Sequence, residues 1–358
     1  MGNSKIRELR EKIREWAEQL GFCQVGFSDT KLDDHGKRLQ NWLKAGFNAD
    51  MKYMAGHGNM RWKPDRLKPG TRSIISLRIN YLEKEPASKR ILGNRSKGFI
   101  SKYAQGRDYH KTIRTKLKLL EKKIKLFCEK EKISGFESRL ITDSAPLLEK
   151  AVAEKAGLGW IGKNTLLINK TSGSYFFLGE ILTNLPLAEK GKEQPNQCGK
   201  CQACIKICPT EAIRAPYTLD AKRCISYLTI ENRGAIPEEY RKPMGNRIFG
   251  CDDCQIVCPW NRYAKHNLEK DFKPRHGLDN EKLERLFLWS EEEFNQKTAG
   301  SAIKRAGYDG WLRNIAVALG NAEKNSKVAN ILLQKKGLSS LVDEHINWAL
   351  NQHSKDPI

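Results

Sequence analysis

The chain has no run approaching the ~18 consecutive apolar residues that a membrane-spanning helix needs, so no segment is expected to cross a bilayer. No G-x-G-x-x-G follows a strand-like run and no G-x-x-x-x-G-K-[ST] occurs. The fingerprints of a Rossmann dinucleotide site and of a P-loop are therefore both missing. The N-terminus lacks the organisation of a secretory signal. Ile6, Leu9, Ile13, Trp16 and Leu20 recur there at steps of three and four, which predicts an amphipathic helix and a cytoplasmic protein. Acidic residues are scarce: 42 Asp and Glu face 64 Lys and Arg, a net charge of +22. Residues 61–130 hold twenty-one Lys or Arg against six Asp or Glu, and such a region attracts polyanions. The Lys-rich segment 111–130 supplies much of that excess, and charge alone leaves open whether it is a solvated helix face or a nucleic-acid footprint.

What the chain does have is cysteine, ten residues of it, and without a secretory signal these point to metal or catalysis rather than to disulfides. Cys198, Cys201, Cys204 and Cys208-Pro209 read C-x2-C-x2-C-x3-C-P, the bacterial ferredoxin run, whose last cysteine ligates a second [4Fe-4S] cluster. The second run keeps Cys251, Cys254 and Cys258-Pro259, but Ile248 stands where its first cysteine belongs, and Cys224 is the substitute upstream. By the exchange rule cluster one takes Cys198, Cys201, Cys204 and Cys258, and cluster two takes Cys208, Cys224, Cys251 and Cys254. A pair of four-cysteine zinc sites is the alternative, disfavoured by the two Cys-Pro endings. Cys23 and Cys128 lie in apolar surroundings and are expected to be small buried hydrophobes.

Ahead of the cysteines, helical patterns alternate with β-rich runs at 22–27, 73–82, 138–143, 165–168 and 174–182, which predicts an α/β (α+β) layer around a sheet. A Pro- and charge-rich stretch, 185–197, reads as a linker. The expected division is an α/β domain over 1–190, a ferredoxin-like double-cluster domain over 191–265 and a helical, HEAT-like region over 266–358. His35 and His110 each follow an Asp at D-x-H spacing, but Arg38 and Ile113 occupy the glycine position of the histidine-ligated cobalamin motif.

DMKYMAGHGNMRWKPDRLKPGTRSIISLRINYL (50–82), SKYAQGRDYH (101–110), TDSAPLLEKAVAEKAGLGWIGKNTLLI (142–168), CISYLTIENRG (224–234) and CDDCQIVCPWN (251–261) together resemble the epoxyqueuosine reductases, over about Ile6 to Arg262. That resemblance implies the last step of queuosine synthesis in tRNA. It also implies a base-off cobalamin held without a histidine ligand, close to the second cluster, as in the related reductive dehalogenases. The family's proton donor corresponds to Asp143, whose carboxyl would serve if burial raised its pKa; the bland reading is a helix N-cap, a role Ser144 could share. Arg61 resembles a contact to the corrin's polar side chains. Gly106, Asp108 and Tyr109, with Gly162, Lys163 and Asn164, sit on expected loops where glycine permits close approach of a flat macrocycle. Leu167 and Leu178 would flank the corrin from neighbouring strands, and Ser226 would meet it from the cluster side. The implied partners are the tRNA anticodon stem-loop and a reductase, flavodoxin or ferredoxin as electron donor, with a monomeric protein. The rival readings are a reductive dehalogenase, a plain electron-transfer ferredoxin and a zinc-dependent RNA-binding module.

Overall fold

A computed structural model describes residues 2–82, 88–189, 193–267 and 269–354. The expected linker lies partly outside the described residues, and the boundary drawn at 190 lies wholly outside them.

The apolar stripe of the N-terminus forms helix α1 (Asn3–Gln19), which buries Leu9, Ile13 and Ala17. It packs along α2 (Tyr109–Lys130), whose Ile113, Leu117, Leu120, Ile124 and Phe127 repeat at helical spacing and are buried. Trp16 of α1 meets Phe127 of α2 edge-on, with ring centroids 6.3 Å apart.

Both helices cover one face of a four-stranded sheet of β1 (Gln24–Ser28), β2 (Ser73–Asn80), β3 (Ser138–Ile141) and β4 (Phe176–Thr183), in the order β1-β2-β4-β3. Alternation along the strands assigns the faces. Ile75, Leu77 and Ile181 join the core under α1 and α2, whereas Ile74 and Leu182 face α3 (Glu149–Lys155) with Ala151 and Val152. Every residue of β2 is buried, since both sides are covered.

All pairings in this sheet are antiparallel. The alternating helix and strand signals thus form the α+β arrangement, not a parallel α/β layer. The run 165–168 does not join the sheet: Leu167–Ile168 pairs with Trp160–Ile161 in a separate two-stranded ribbon.

At the C-terminal end, α4 (Gly307–Gly320) is buried on all sides from Gly310 to Gly320, between neighbours that include α5 (Ser326–Leu333) and α6 (Ser340–Ser354). Its core continues into Ile225, Leu228, Ile248 and Phe249 of the cysteine region and Ile100 and Ala104 of the N-terminal region. Arg313 lies in this core at 1% exposure, because its guanidinium donates to the carbonyls of Leu228, Asn232 and Gly234. A short parallel pairing of Phe99–Ile100 with Arg247–Phe249 further ties the cysteine segment to the N-terminal region.

Candidate active site and cluster-binding cysteines

Cys198, Cys201, Cys204 and Cys258 line one cavity of about 230 Å³, floored by Ile168 and Trp260 and flanked by Lys163 and Arg262. The last cysteine of the second run thus stands with three from the first. Cys254 and Cys224 are neighbours deeper in the fold: burial pushes the Cys254 thiol well up, and the charges of Cys224, Asp252, Cys204 and Cys208 add to that. Cys251 turns its thiol to Asp253, at 2.8 Å, and Arg247 grips the same carboxylate at 2.5 and 2.6 Å.

Among the described residues no three His, Cys, Asp or Glu side chains converge tightly enough to hold a single metal ion. A tetrahedral zinc site needs thiolates about 2.3 Å from one point. A cubane instead fills a cavity between them, as the first cysteine set provides. The Tyr175 hydroxyl is buried without a protein partner among the described residues and lies within electrostatic reach of Cys254 and Cys258, so it could donate to cluster sulfur. The residues of the first set fit a cluster. Cys23, expected to be buried, is exposed, whereas Cys128 is buried.

The second centre forms where β3 ends and α2 begins. Asp108 caps α2, its carboxylate accepting the backbone N–H of His110 at 3.0 Å. The same oxygen lies 2.6 Å from His110 Nδ1, while His110 Nε2 lies 3.2 Å from Oδ2 of Asp143. The Tyr109 hydroxyl donates to that Asp143 oxygen at 3.0 Å, and its ring stacks on Phe177 at a 4.0 Å centroid distance.

Asp143 itself has φ +55°, the left-handed region that a β-carbon disfavours, and its side chain is 63% exposed. Burial works against the charged His110 imidazolium, but hydrogen bonds to Asp108 and Asp143 outweigh it and lift its pKa to about 9. The hydrogen bond from His110 holds the Asp143 carboxyl below the usual carboxylate range. The expectation of a carboxyl raised by burial is therefore corrected: at neutral pH the proton resides on His110, and Asp143 is the ionised acceptor beside it.

Two families match by segment: residues 197–261 match the 4Fe-4S double cluster binding domain, and residues 61–144 match Epoxyqueuosine reductase QueG, DUF1730. The epoxyqueuosine reductase of Pseudomonas aeruginosa is 52% identical over 348 residues, covering 97% of this chain and 95% of its own. The Escherichia coli enzyme of that name is 51% identical, covering 97% and 90%. The chain belongs to the epoxyqueuosine reductase family.

A solved epoxyqueuosine reductase with an epoxyqueuosine-modified tRNA-Tyr stem loop superposes at TM-score 0.88 and 29% identity, covering 98% of this chain and 91% of that one. The Bacillus subtilis epoxyqueuosine reductase, solved with an aspartate-bearing catalytic loop swung out of its active site, superposes at TM-score 0.87 and 29% identity, with the same coverage.

Within this family framework the other expected site residues divide. Asp108, Tyr109 and Asp143 come together. Arg61 is 8% exposed, its guanidinium donating to the carbonyls of Tyr53 and Met54, while its own carbonyl accepts from Leu148 N–H at 3.0 Å. It braces the loop that follows Asp143. Lys163 donates to the carbonyls of Gly199 and Cys201, and Asn164 to that of Cys254, so this pair ties the ribbon to the cysteine segments.

The glycines answer to protein packing: a β-carbon on Gly106 would sit 2.6 Å from the Asp271 carbonyl, and one on Gly162 would sit 2.4 Å from Ile168. Leu167 and Leu178 share an apolar cluster but come from the ribbon and from β4, not from neighbouring strands of one sheet. Ser226 favours the charged form of the Cys224 thiol, against the burial that pushes it up. Neither Asp143 nor Ser144 caps α3; the N-cap is Leu148, and no side chain fills that role.

Sequence reasoning missed three ionisable residues around Asp143. His110 was set aside as half of a failed cobalt motif, although its D-x-H spacing is what lets one carboxylate cap the helix and hold the ring. Glu149 accepts the Asp143 backbone N–H at 2.6 Å, and Glu180 lies fully buried behind it. An acid in the middle of the otherwise apolar run SYFFLGEIL was the available signal.

Proposed function

We propose that the chain reduces epoxyqueuosine to queuosine in the anticodon loop of tRNA, with Asp143 delivering a proton to the departing epoxide oxygen. The observation that carries this reading is the exposed Asp143 carboxylate with the charged His110 behind it. Conversion of an epoxide to an alkene and water takes up two electrons and two protons. His110 gives its proton to Asp143 Oδ2, which passes it to the oxygen as the C–O bond breaks; the second proton enters from solvent. Asp108 then stabilises His110 for reprotonation, and the Tyr109 hydroxyl keeps Asp143 aimed.

Cys198, Cys201, Cys204 and Cys258 would hold one [4Fe-4S] cluster and Cys208, Cys224, Cys251 and Cys254 the other. Cobalamin, when bound, supplies the reducing cobalt chemistry. The corrin would be held base-off and without a histidine ligand, and the engagement of both ring nitrogens of His110 by carboxylates supports the latter. Arg61, Gly106, Asp108, Tyr109, Asp143, Lys163, Asn164, Leu167, Leu178 and Ser226 remain the proposed cobalamin contacts.

The tRNA reading is supported by α2. Lys111, Arg114, Lys118, Lys122 and Lys125 are exposed along it at steps of three and four, so they share one face. The row starts beside the catalytic group, where Arg114 donates to Ser144 at 3.1 Å, and runs about 21 Å outward. A cation row leading away from the chemistry suits the phosphates of an anticodon stem whose loop base reaches Asp143. A three-part division at 190 and 265 with a HEAT-like C-terminal unit, a monomeric cytoplasmic enzyme and a flavodoxin, ferredoxin or reductase as donor complete the proposal.

The test is anaerobic incubation of the cofactor-loaded protein and a reductant with an epoxyqueuosine-bearing stem-loop, followed by mass analysis of the nucleosides. Loss of one oxygen atom is expected. An unchanged nucleoside with both cofactors in place overturns the reading.

A further inference from the structure

Behind the Asp143 loop lies a buried carboxyl pair that proton delivery from His110 does not use. Glu180 of β4 is 0% exposed and stands in register opposite Ser76 of β2, on the sheet face that α3 covers. Ser76 Oγ donates to its Oε1 at 3.2 Å. Its Oε2 is shielded from solvent and receives no hydrogen bond from a protein donor among the described residues.

The neighbouring group is Glu149, the first residue of α3, whose carboxyl comes close enough to that of Glu180 for the two to share a hydrogen bond. Two carboxylates are both pure acceptors, so that contact requires a proton on one of them. Burial and then the charge of Asp143 raise Glu149 to about 7, and burial and then Glu149 raise Glu180 well above an ordinary glutamate. Asp143, His110 and Tyr109 also lie within electrostatic reach of Glu149.

Glu149 also reaches the other way. Its Oε1 accepts the backbone N–H of Asp143 at 2.6 Å, at the residue whose φ is +55°. A non-glycine residue stays in that region only when its surroundings over-determine it. Thr142 is tied to the Leu178 carbonyl and Leu148 to the Arg61 carbonyl, which anchors both ends of the loop. The hydrogen bond from Asp143 N–H to Glu149 fixes the peptide that aims the carboxylate.

We propose that Glu149 and Glu180 form a latch in which one shared proton ties Glu149 to the sheet and Glu149 holds the Asp143 peptide in its working conformation. Both are positioning residues, and the idea rests on the role assigned to Asp143. Release of Glu149 frees the Asp143 loop to leave His110 and Tyr109.

Amide exchange at Asp143, the dissociation constant of the stem-loop and the single-turnover rate together test the latch in the cofactor-loaded protein. In Glu149→Ala the Asp143 amide loses protection and the rate drops at least about tenfold, while stem-loop affinity stays within about twofold. In Glu149→Gln the amide oxygen still accepts from Asp143 and the NH2 group replaces the shared proton, so protection and most of the rate return. Glu180→Gln behaves likewise. Should Glu149→Ala not fold, Glu149→Asp withdraws the carboxyl by one methylene and is expected to show the same loss.

Unchanged protection in both Glu149→Ala and Glu149→Asp, or a Glu149→Gln variant as impaired as Glu149→Ala, overturns the latch. An Asp143→Ala variant that turns over at the parent rate overturns the role of Asp143 instead, and the exchange data separate the two results.

Discussion

His110 Nε2 lies 3.2 Å from the Asp143 carboxylate, and the same ring presents Nδ1 to Asp108 at 2.6 Å, so one imidazolium is clamped between two acids. That arrangement moves the proton store of the site off the aspartate and onto the histidine, whose pKa is about 9.

Turnover is expected to be flat through neutral pH and to fall along an alkaline limb centred near 9, where His110 loses its proton. His110→Gln lowers the rate and removes that limb. Stability follows the same sign. The folded-state pKa lies above the unfolded value of about 6.5, so the stabilisation is fully present below that pH and is lost as pH rises through about 9. Denaturation midpoints of parent and His110→Gln, compared from pH 6 to 10, converge as pH rises.

Asp143→Asn retains the shape but cannot carry the proton. Its turnover is expected to drop by about 10²–10⁴-fold, with iron-sulfur and cobalamin absorbance unchanged. Rapid-quench assay of a single turnover checks this, and a loss of either absorbance band would assign Asp143 to cofactor binding instead.

The row on α2 predicts a salt signature. Lys118→Ala and Lys122→Ala each reduce the slope of log affinity against log salt for the stem-loop by about 0.7–0.9. Lys324→Ala, exposed in the loop between α4 and α5, leaves the slope unchanged. Titrations at several salt concentrations decide between a phosphate-binding face and a merely solvated one.

Cys258→Ala predicts the exchange of ligands between the runs. Because Cys258 lines the cavity of Cys198, Cys201 and Cys204, its removal costs the first cluster, and iron content falls from about eight atoms to about four. Cys208→Ala removes the other cluster. If Cys258→Ala and Cys201→Ala lose different clusters by electron paramagnetic resonance, the assignment fails.

Much of the architecture was legible because its signals are local. The stripe from Ile6 to Leu20 became α1, and the β-rich runs became β1 to β4. The direction of strand pairing was not legible, since alternation marks which side of a strand is buried and carries no information on its neighbour's direction. That is why the layer proved antiparallel, and why 165–168 found Trp160–Ile161 rather than the sheet.

Of the site, the sequence by itself determined the cluster chemistry, because cluster ligands recur at short spacings along the chain and Cys-Pro endings mark the exchange. It also placed Asp143 by resemblance. Only the tertiary structure decided what state Asp143 is in. His110 comes from 33 positions upstream and Glu149 from six downstream, and Glu180 reaches the group from another strand. A carboxyl's protonation depends on hydrogen bonds and charges through space, and no spacing along the chain records those.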